Sequence, residues 1–407
     1  MKIKRLLIVA GVWCMALMLA IPLVTSCAAP EPETGVLKIG IVAALSGDCA
    51  DWGIPMVEGA NMWRDDINAK GGITAGGKTY MIETISYDDK ADTSVMLDCL
   101  NKLVYEDGVT VVLPLFIGSN AYASFPIVEE NNILIIGSCF GFDDVVLPEH
   151  PMYFRNFQNP HERSTALIMW IGENWPDVKT LIHCNSDDEA GVTEDEIARK
   201  VGPQYGIEVL PTEYIEWGIV DVTPVMSRVV AQNPDCILFG NIDLTTMPLM
   251  IKAARELGYT GRTITDCGSH IDEQFVPAAG GAENVEGHVC PQFAAYGDGA
   301  KFVPQAYQDF IVRYAEEWGF FNDWGADNYM SLQILEQAII RADSIDTVKI
   351  AAELEGGKDF EILIGKTYFG GKPHYGRAGQ LLSPLPIAQY KNGHLSTIDV
   401  ITLQDLP

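Results

Sequence analysis

Positive charge is scarce in this 407-residue chain: 27 Lys and Arg stand against 55 Asp and Glu, for a formal net charge of -28 at pH 7. Such a surface repels phosphate backbones, which excludes nucleic acid as a partner. Histidine is sparse as well. The seven residues are scattered without an H-x-x-x-H pair, so neither a zinc-hydrolase site nor a Ser-His-Asp constellation is indicated. His183, at a strand end, is the one tempting base, and a lone His is more often structural. No G-x-G-x-x-G is read after the first strand, no P-loop and no G-x-S-x-G elbow, so an enzyme is not expected, nor a cofactor or a metal. Of nine cysteines, Cys14 lies in an apolar leader and Cys27 just after it. The other seven form no C-x-x-C and fit no zinc spacing. Being odd in number, they leave at least one thiol free, and so many thiols in an exported chain suggest a reducing or anoxic habitat.

What the chain has in plenty is apolar sequence, 48% hydrophobic residues against 20% charged, enough for two real cores. Lys2, Lys4 and Arg5 precede an apolar run from Leu6 to Leu23 and then Val24, Thr25, Ser26 and Cys27, the layout of a secretory signal. The Cys after Val-Thr-Ser resembles the lipobox of bacterial lipoproteins, which implies lipidation at Cys27 and a signal over 1–26. The alternative is an uncleaved anchor, since the run is nearly long enough to span a bilayer. Either way the remainder is expected outside the cytoplasmic membrane, tied to it by a short Pro-rich tether at 27–35.

From Val36 onward short β-branched runs alternate with longer helical stretches, which predicts βαβ units and parallel sheets. Strands are expected at 36–45, 79–88, 109–115 and 133–138, with helices at 55–70, 93–106 and 119–130. Around 152–159 the chain changes lobe and the march begins again, with strands at 179–184, 207–215, 236–241 and 263–267 and helices between them. Three late helices, at 304–318, 326–341 and 347–355, have no sheet of their own and must return to an earlier lobe. PIAQYKNG (386–393) closes the chain with a hairpin-like Asn-Gly turn.

The segment IGIVAALSGDCADWGIPMVEGANMWRDDINAKGGI (39–73) resembles the opening of type I periplasmic solute-binding proteins of the leucine/isoleucine/valine-binding family. YDDKADTSVMLDCLNKLVYEDGV (87–109) and the E-x-N-x-I-L-I-I stretch at 129–136 continue the likeness. The resemblance implies two open, doubly wound parallel-sheet lobes joined by three hinge crossings, lobe 1 being 36–157 plus 291–368 and lobe 2 being 158–290 plus 369–407. It implies a small-molecule ligand, an amino acid or an aromatic or aliphatic carboxylate, captured between the lobes and delivered to an inner-membrane ABC permease. A receptor of the same fold that reports to a membrane sensor is the alternative.

Ligands of open α/β sheets bind at the carboxyl ends of the strands, and the family's binding loops fall on the same segments here. Ser119 and Asn120 open a helix, where free N–H groups favour an anion, although a plain N-cap would look the same. Cys139, Phe140 and Gly141 align with a loop that supplies backbone groups and a Thr hydroxyl; Gly141 stands where that Thr is expected. Trp52 and Trp324 align with aromatic walls, and Phe116 adds to them. An acid from lobe 2 should pair with a ligand ammonium, and Asp188, Asp243 and Asp266 are the candidates, Asp266 being the one expected to decide whether an amine is required.

Overall fold

The computed structural model describes residues 33–47, 49–115, 118–139, 142–216, 218–268 and 270–403. The proposed signal and Cys27, together with Phe116, Phe140 and Gly141, lie outside them. In the first half, β1 (Glu33–Ala43), α1 (Ala50–Ala69), β2 (Ile73–Ala75), β3 (Lys78–Asp88), α2 (Thr93–Asn101), β4 (Val111–Pro114), α3 (Gly118–Asn131), β5 (Leu134–Gly137) and β6 (Tyr153–Arg155) build one sheet and its cover. The β-branched runs are buried: Val111 to Leu113 and Leu134 to Ile136 are fully inaccessible, as strands covered on both faces must be.

A second sheet follows from α4 (Pro160–Asn174), β7 (Thr180–Ser186), α5 (Glu189–Val201), β8 (Glu208–Val209), β9 (Glu213–Ile215), α6 (Thr223–Ala231), β10 (Cys236–Phe239), α7 (Thr246–Glu256), β11 (Arg262–Thr265), α8 (Asp272–Ala278), α9 (Ala282–Val285) and β12 (Val289–Cys290). The chain then runs through α10 (Gln305–Trp318), α11 (Asp323–Ala342), α12 (Thr347–Glu355), β13 (Phe360–Ile362), β14 (Gly365–Gly370), α13 (Lys372–Tyr375), β15 (Gln380–Leu382), β16 (Leu385–Lys391) and β17 (His394–Ile401).

The first sheet has the order β13-β14-β15-β6-β5-β4-β1-β3-β2, and the second β17-β16-β12-β11-β10-β7-β8 with β9 also on β7. Pairing is parallel through the middle of each, β1 with β4 and β10 with β7 and β11, and antiparallel only at the edges. The fold is therefore the expected one, a mixed α/β chain with two sheets that are parallel in their centres. Each sheet has its own apolar filling. The late helices α10 to α12 contribute Phe310, Tyr314, Leu335 and Leu354 to the first core, whereas the second sheet is covered by α4 and α5 on one face and by α6 to α8 on the other.

One boundary differs from expectation. The return to the second sheet was placed at 369, but Tyr368 to Gly370 pair with Gln380 to Leu382, and Gln380 pairs in turn with Arg155 of β6. The transfer falls at 383–384 instead, because QLL is three residues long and carries no periodicity of its own. Residues 72–79, GITAGGKT, also need a correction: their spacing fits a phosphate-binding loop. The structure makes them a hairpin, with Ala75 opposite Lys78 and Gly76 and Gly77 at φ 59° and 75°, and a strand rather than a helix follows. The two glycines are there because both turn positions need positive φ.

The sheets are linked by three segments, at 156–159, 291–304 and 383–384. All seven described cysteines carry free thiols, so no disulfide fixes one part against another. Among the described residues no helix is long and apolar enough to cross a membrane.

Candidate ligand-binding site

The strand ends of the first lobe are organised by Asp88, at the end of β3. Its carboxylate accepts from Leu45 N (2.8 Å), Ser46 Oγ (2.6 Å) and Lys90 N (2.9 Å), and it thereby shapes the Leu-Ser-Gly turn that leads to Trp52 in the first turn of α1. Trp52 is half-buried. Asn322, which caps α11, donates to the carbonyl of Asp51 at 3.4 Å and accepts from Trp324 N at 3.0 Å, so the two tryptophan-bearing helix starts are tied together. Ser119 is exposed at the start of α3, its Oγ 3.0 Å from Thr93 Oγ1, with the helix N–H groups beside it.

Two expected contacts prove to be inward-facing. Asn120 is fully buried and donates to Asp89 Oδ2 at 3.2 Å. The Cys139 side chain is part of the first core, where burial pushes its thiol up to about 12. Its side chain is a small core group rather than a reactive thiol.

In the second lobe, the three acids considered as ammonium partners are already engaged. Asp188 caps α5, accepting from Gly191 N (2.9 Å) and Ser186 Oγ (2.8 Å), and Asn241 Nδ2 donates to it at 3.2 Å. Asp243 accepts from the Thr245 and Thr246 backbone at 3.1 and 2.8 Å. Burial alone would raise its carboxyl, but these bonds and the two threonine side chains outweigh it and hold it below the usual range. Asp266 is fully buried, 4.0 Å from Arg163 Nη2. Its neighbour Glu194 is pushed well above the ordinary range by burial and then by the charge of Asp266.

Sequence reasoning missed what the three linking segments enclose. A cavity of about 80 Å³ lies where they meet, lined by Phe157, Arg163, Cys267, Gln292, Asp327 and Trp324 among others. Phe157 stacks on Trp324 with ring centroids 5.3 Å apart, and the Arg163 guanidinium lies over the Phe157 ring, 5.1 Å from its centroid. Arg163 is buried. Asp323 and Asp327, one turn apart on α11, supply acids on the same wall, and burial followed by the charge of Asp323 pushes Asp327 well up. The cavity thus offers a cation, carboxyls and flat apolar rings around one space. Its walls come from both sheets. Across the lips, Asp143 and Asp144 of the first lobe raise the carboxyl of Glu189 in the second, after the larger effect of its own burial, which places the two lips close together.

Two parallel-centred α/β sheets joined by three segments, with strand ends meeting at a cavity between them, are the architecture of the type I periplasmic binding protein fold. Residues 36–394 match the family model described as periplasmic binding protein, and the chain belongs to that family. The leucine-specific-binding protein of Salmonella typhimurium is 35% identical over 226 residues, 54% of this chain and 58% of that one, so the chain spans less than two thirds of the length of that curated relative. The branched-chain amino acid transporter substrate binding protein of Streptococcus pneumoniae, solved with isoleucine, superposes with a TM-score of 0.76 at 19% identity, covering 90% of this chain and 99% of that one. A solute binding protein of an ABC transporter from R. palustris, solved with benzoate, gives 0.73 at 16% identity over 91% and 98%. At those identities the likeness shows the fold. Family membership also settles the class: the chain is a binding protein and not an enzyme.

Proposed function

We propose that the chain is an exported solute-binding protein that closes on a small carboxylate or an amino acid with an apolar or aromatic body and hands it to an ABC importer. The observation that carries this reading is the hinge cavity, where the buried Arg163 stands beside the stacked rings of Phe157 and Trp324. A guanidinium is suited to a carboxylate, and paired rings to a flat or branched apolar body. Trp52 and Ser119 extend the site along the strand ends of the first lobe. The relatives that resemble the chain are named for leucine, isoleucine or benzoate and for ABC transporters, which supports transport over sensing. Asp266, committed to Arg163, is read as that cation's partner and no longer as the group that selects an amine.

A thermal-shift and calorimetric screen of leucine, isoleucine, benzoate and 4-hydroxybenzoate tests the reading. A ligand held at one hundred times its Kd should stabilise the protein by about 2.7 kcal/mol, and small-angle scattering should show a smaller radius of gyration on binding, since both lobes line the cavity. Binding by none of the four, or binding at an unchanged radius, would overturn it.

Membrane attachment through lipidated Cys27 is part of the same proposal and rests on the basic start, the apolar run and Val-Thr-Ser-Cys. Cys27→Ser should abolish lipid labelling and release the protein from membranes. Continued labelling of the variant would remove the anchor from the reading.

A further inference from the structure

His161, in the first turn of α4, belongs to the second lobe, and His374, in α13, to the first. Their imidazoles lie flat on each other, centroids 3.6 Å apart and planes 7° from parallel. His374 Nε2 is 2.8 Å from Asp143 Oδ2, and Asn159 Nδ2 donates to the other oxygen of the same carboxylate. Asp143 opens the short turn Asp143–Val146 directly after the loop that follows β5, the loop expected to supply backbone groups to a ligand. Arg155 donates to the Phe142 carbonyl from below. Tyr375 packs edge-on against both imidazoles, 6.3 and 4.5 Å away, and donates to Glu162 Oε1 at 3.0 Å. One cluster therefore joins the second lobe, the tail of the first and the turn at Asp143–Val146.

We propose that the stacked imidazoles of His161 and His374, anchored on Asp143, form an inter-lobe latch that holds α4 against α13 and parts in acid. The two histidines are positioning residues; neither lines the hinge cavity. His161 Nε2 is buried with no hydrogen-bond partner among the described residues, so the ring sits in its place as a neutral group. A proton there would be both unsolvated and pressed against a second imidazole. Burial first, then His374 and, less strongly, Lys200 of α5 pull its pKa down to about 4, against an opposing pull from Asp143.

The direction of the pH effect follows. When the stack parts, His161 returns to water and to an ordinary value of about 6.5. Between that value and about 4 the open state binds a proton that the closed state does not, so falling pH favours opening, on the order of tenfold in the closed-to-open ratio between pH 7 and pH 5. Glu162 works the other way, because burial pushes its carboxyl up to about 7 against the pull of Arg155 and Tyr375. That contribution is unchanged by a substitution at 161, so comparing variants isolates the imidazole.

The latch rests on the two-lobe clamp proposed above but not on the identity of the ligand, and it is tested without one. Small-angle scattering of the ligand-free full chain from pH 7.5 to 4.5 should show the radius of gyration of the wild type rising with acid relative to that of His161→Phe, because the opposing Glu162 contribution is common to both. His161→Phe keeps a flat ring and removes the proton, and should stay compact across the range; His161→Ala removes the ring and should be expanded already at pH 7. Circular dichroism at each pH separates opening from unfolding. Equal pH profiles for wild type and His161→Phe, or a wild-type radius for His161→Ala at pH 7, would overturn the latch. A failed ligand screen beside a pH step that His161→Phe removes would instead overturn the ligand reading alone.

Discussion

Replacing Arg163 with Met is expected to lower the unfolding free energy by about 3–5 kcal/mol and to abolish ligand binding. The stability loss comes from Asp266, fully buried and left without the guanidinium now 4.0 Å away, with the carboxyl of Glu194 beside it. What remains beside it is the Glu194 carboxyl, which cannot supply the lost positive charge. The two effects can be separated. Removing both charges, Arg163→Met with Asp266→Asn, should recover most of the stability, because a neutral pair of similar volume has no buried charge to leave behind. Binding should not recover. Urea unfolding and calorimetry on the three variants check this; recovery of binding in the double variant would mean that Arg163 acts on Asp266 alone and touches no ligand.

Gly59→Ala should cost about 3 kcal/mol or more. A Cβ at Gly59 would lie 1.9 Å from the carbonyl oxygen of Gly325, and the clash is with backbone, which no rotamer change relieves. Helices α1 and α11 touch there, main chain to main chain, with Asn328 Nδ2 donating to Met56 O at 3.0 Å nearby. The same two helices begin at Trp52 and Trp324. Prising them apart should therefore weaken ligand affinity as well as lower the melting temperature, although residue 59 does not itself line the cavity. A melting temperature within a degree or two of wild type would show that the helices can slide to accommodate the methyl group.

Most of the architecture was legible because it depends on local pattern. Val111 to Leu113 or Cys236 to Phe239 can hardly be anything but strands buried on both faces, and Gly71-Gly72 and Asn392-Gly393 mark a stop and a turn by their own conformational needs. β15 was not legible, since Gln380 to Leu382 becomes a strand only by lying between Tyr368 and Arg155. The helix at Asp272–Ala278 was hidden in the same way by its shortness and by Pro277. At the site, the family likeness marked Trp52 and Trp324, and local chemistry marked Ser119 at a helix start. It could not reveal that Asp188 and Asp243 are used as caps, since a cap and a ligand contact ask for the same residue in the same place. Least legible of all was the cavity. Phe157, Arg163, Gln292 and Trp324 come from segments far apart in sequence, and only the geometry of the hinge makes them neighbours.

The three linking segments at 156–159, 291–304 and 383–384 have a mechanical consequence. Two bodies joined by one strap can swing and twist freely, and joined by two they can still fold about the line through both attachments. A third attachment off that line resists twisting and sliding, so that what is left is close to a single angular coordinate. Recognition by such a molecule is read out as one angle, and anything that reports that angle to a partner, such as the spacing of two surface points on opposite lobes, carries all the information about occupancy that the protein has to give.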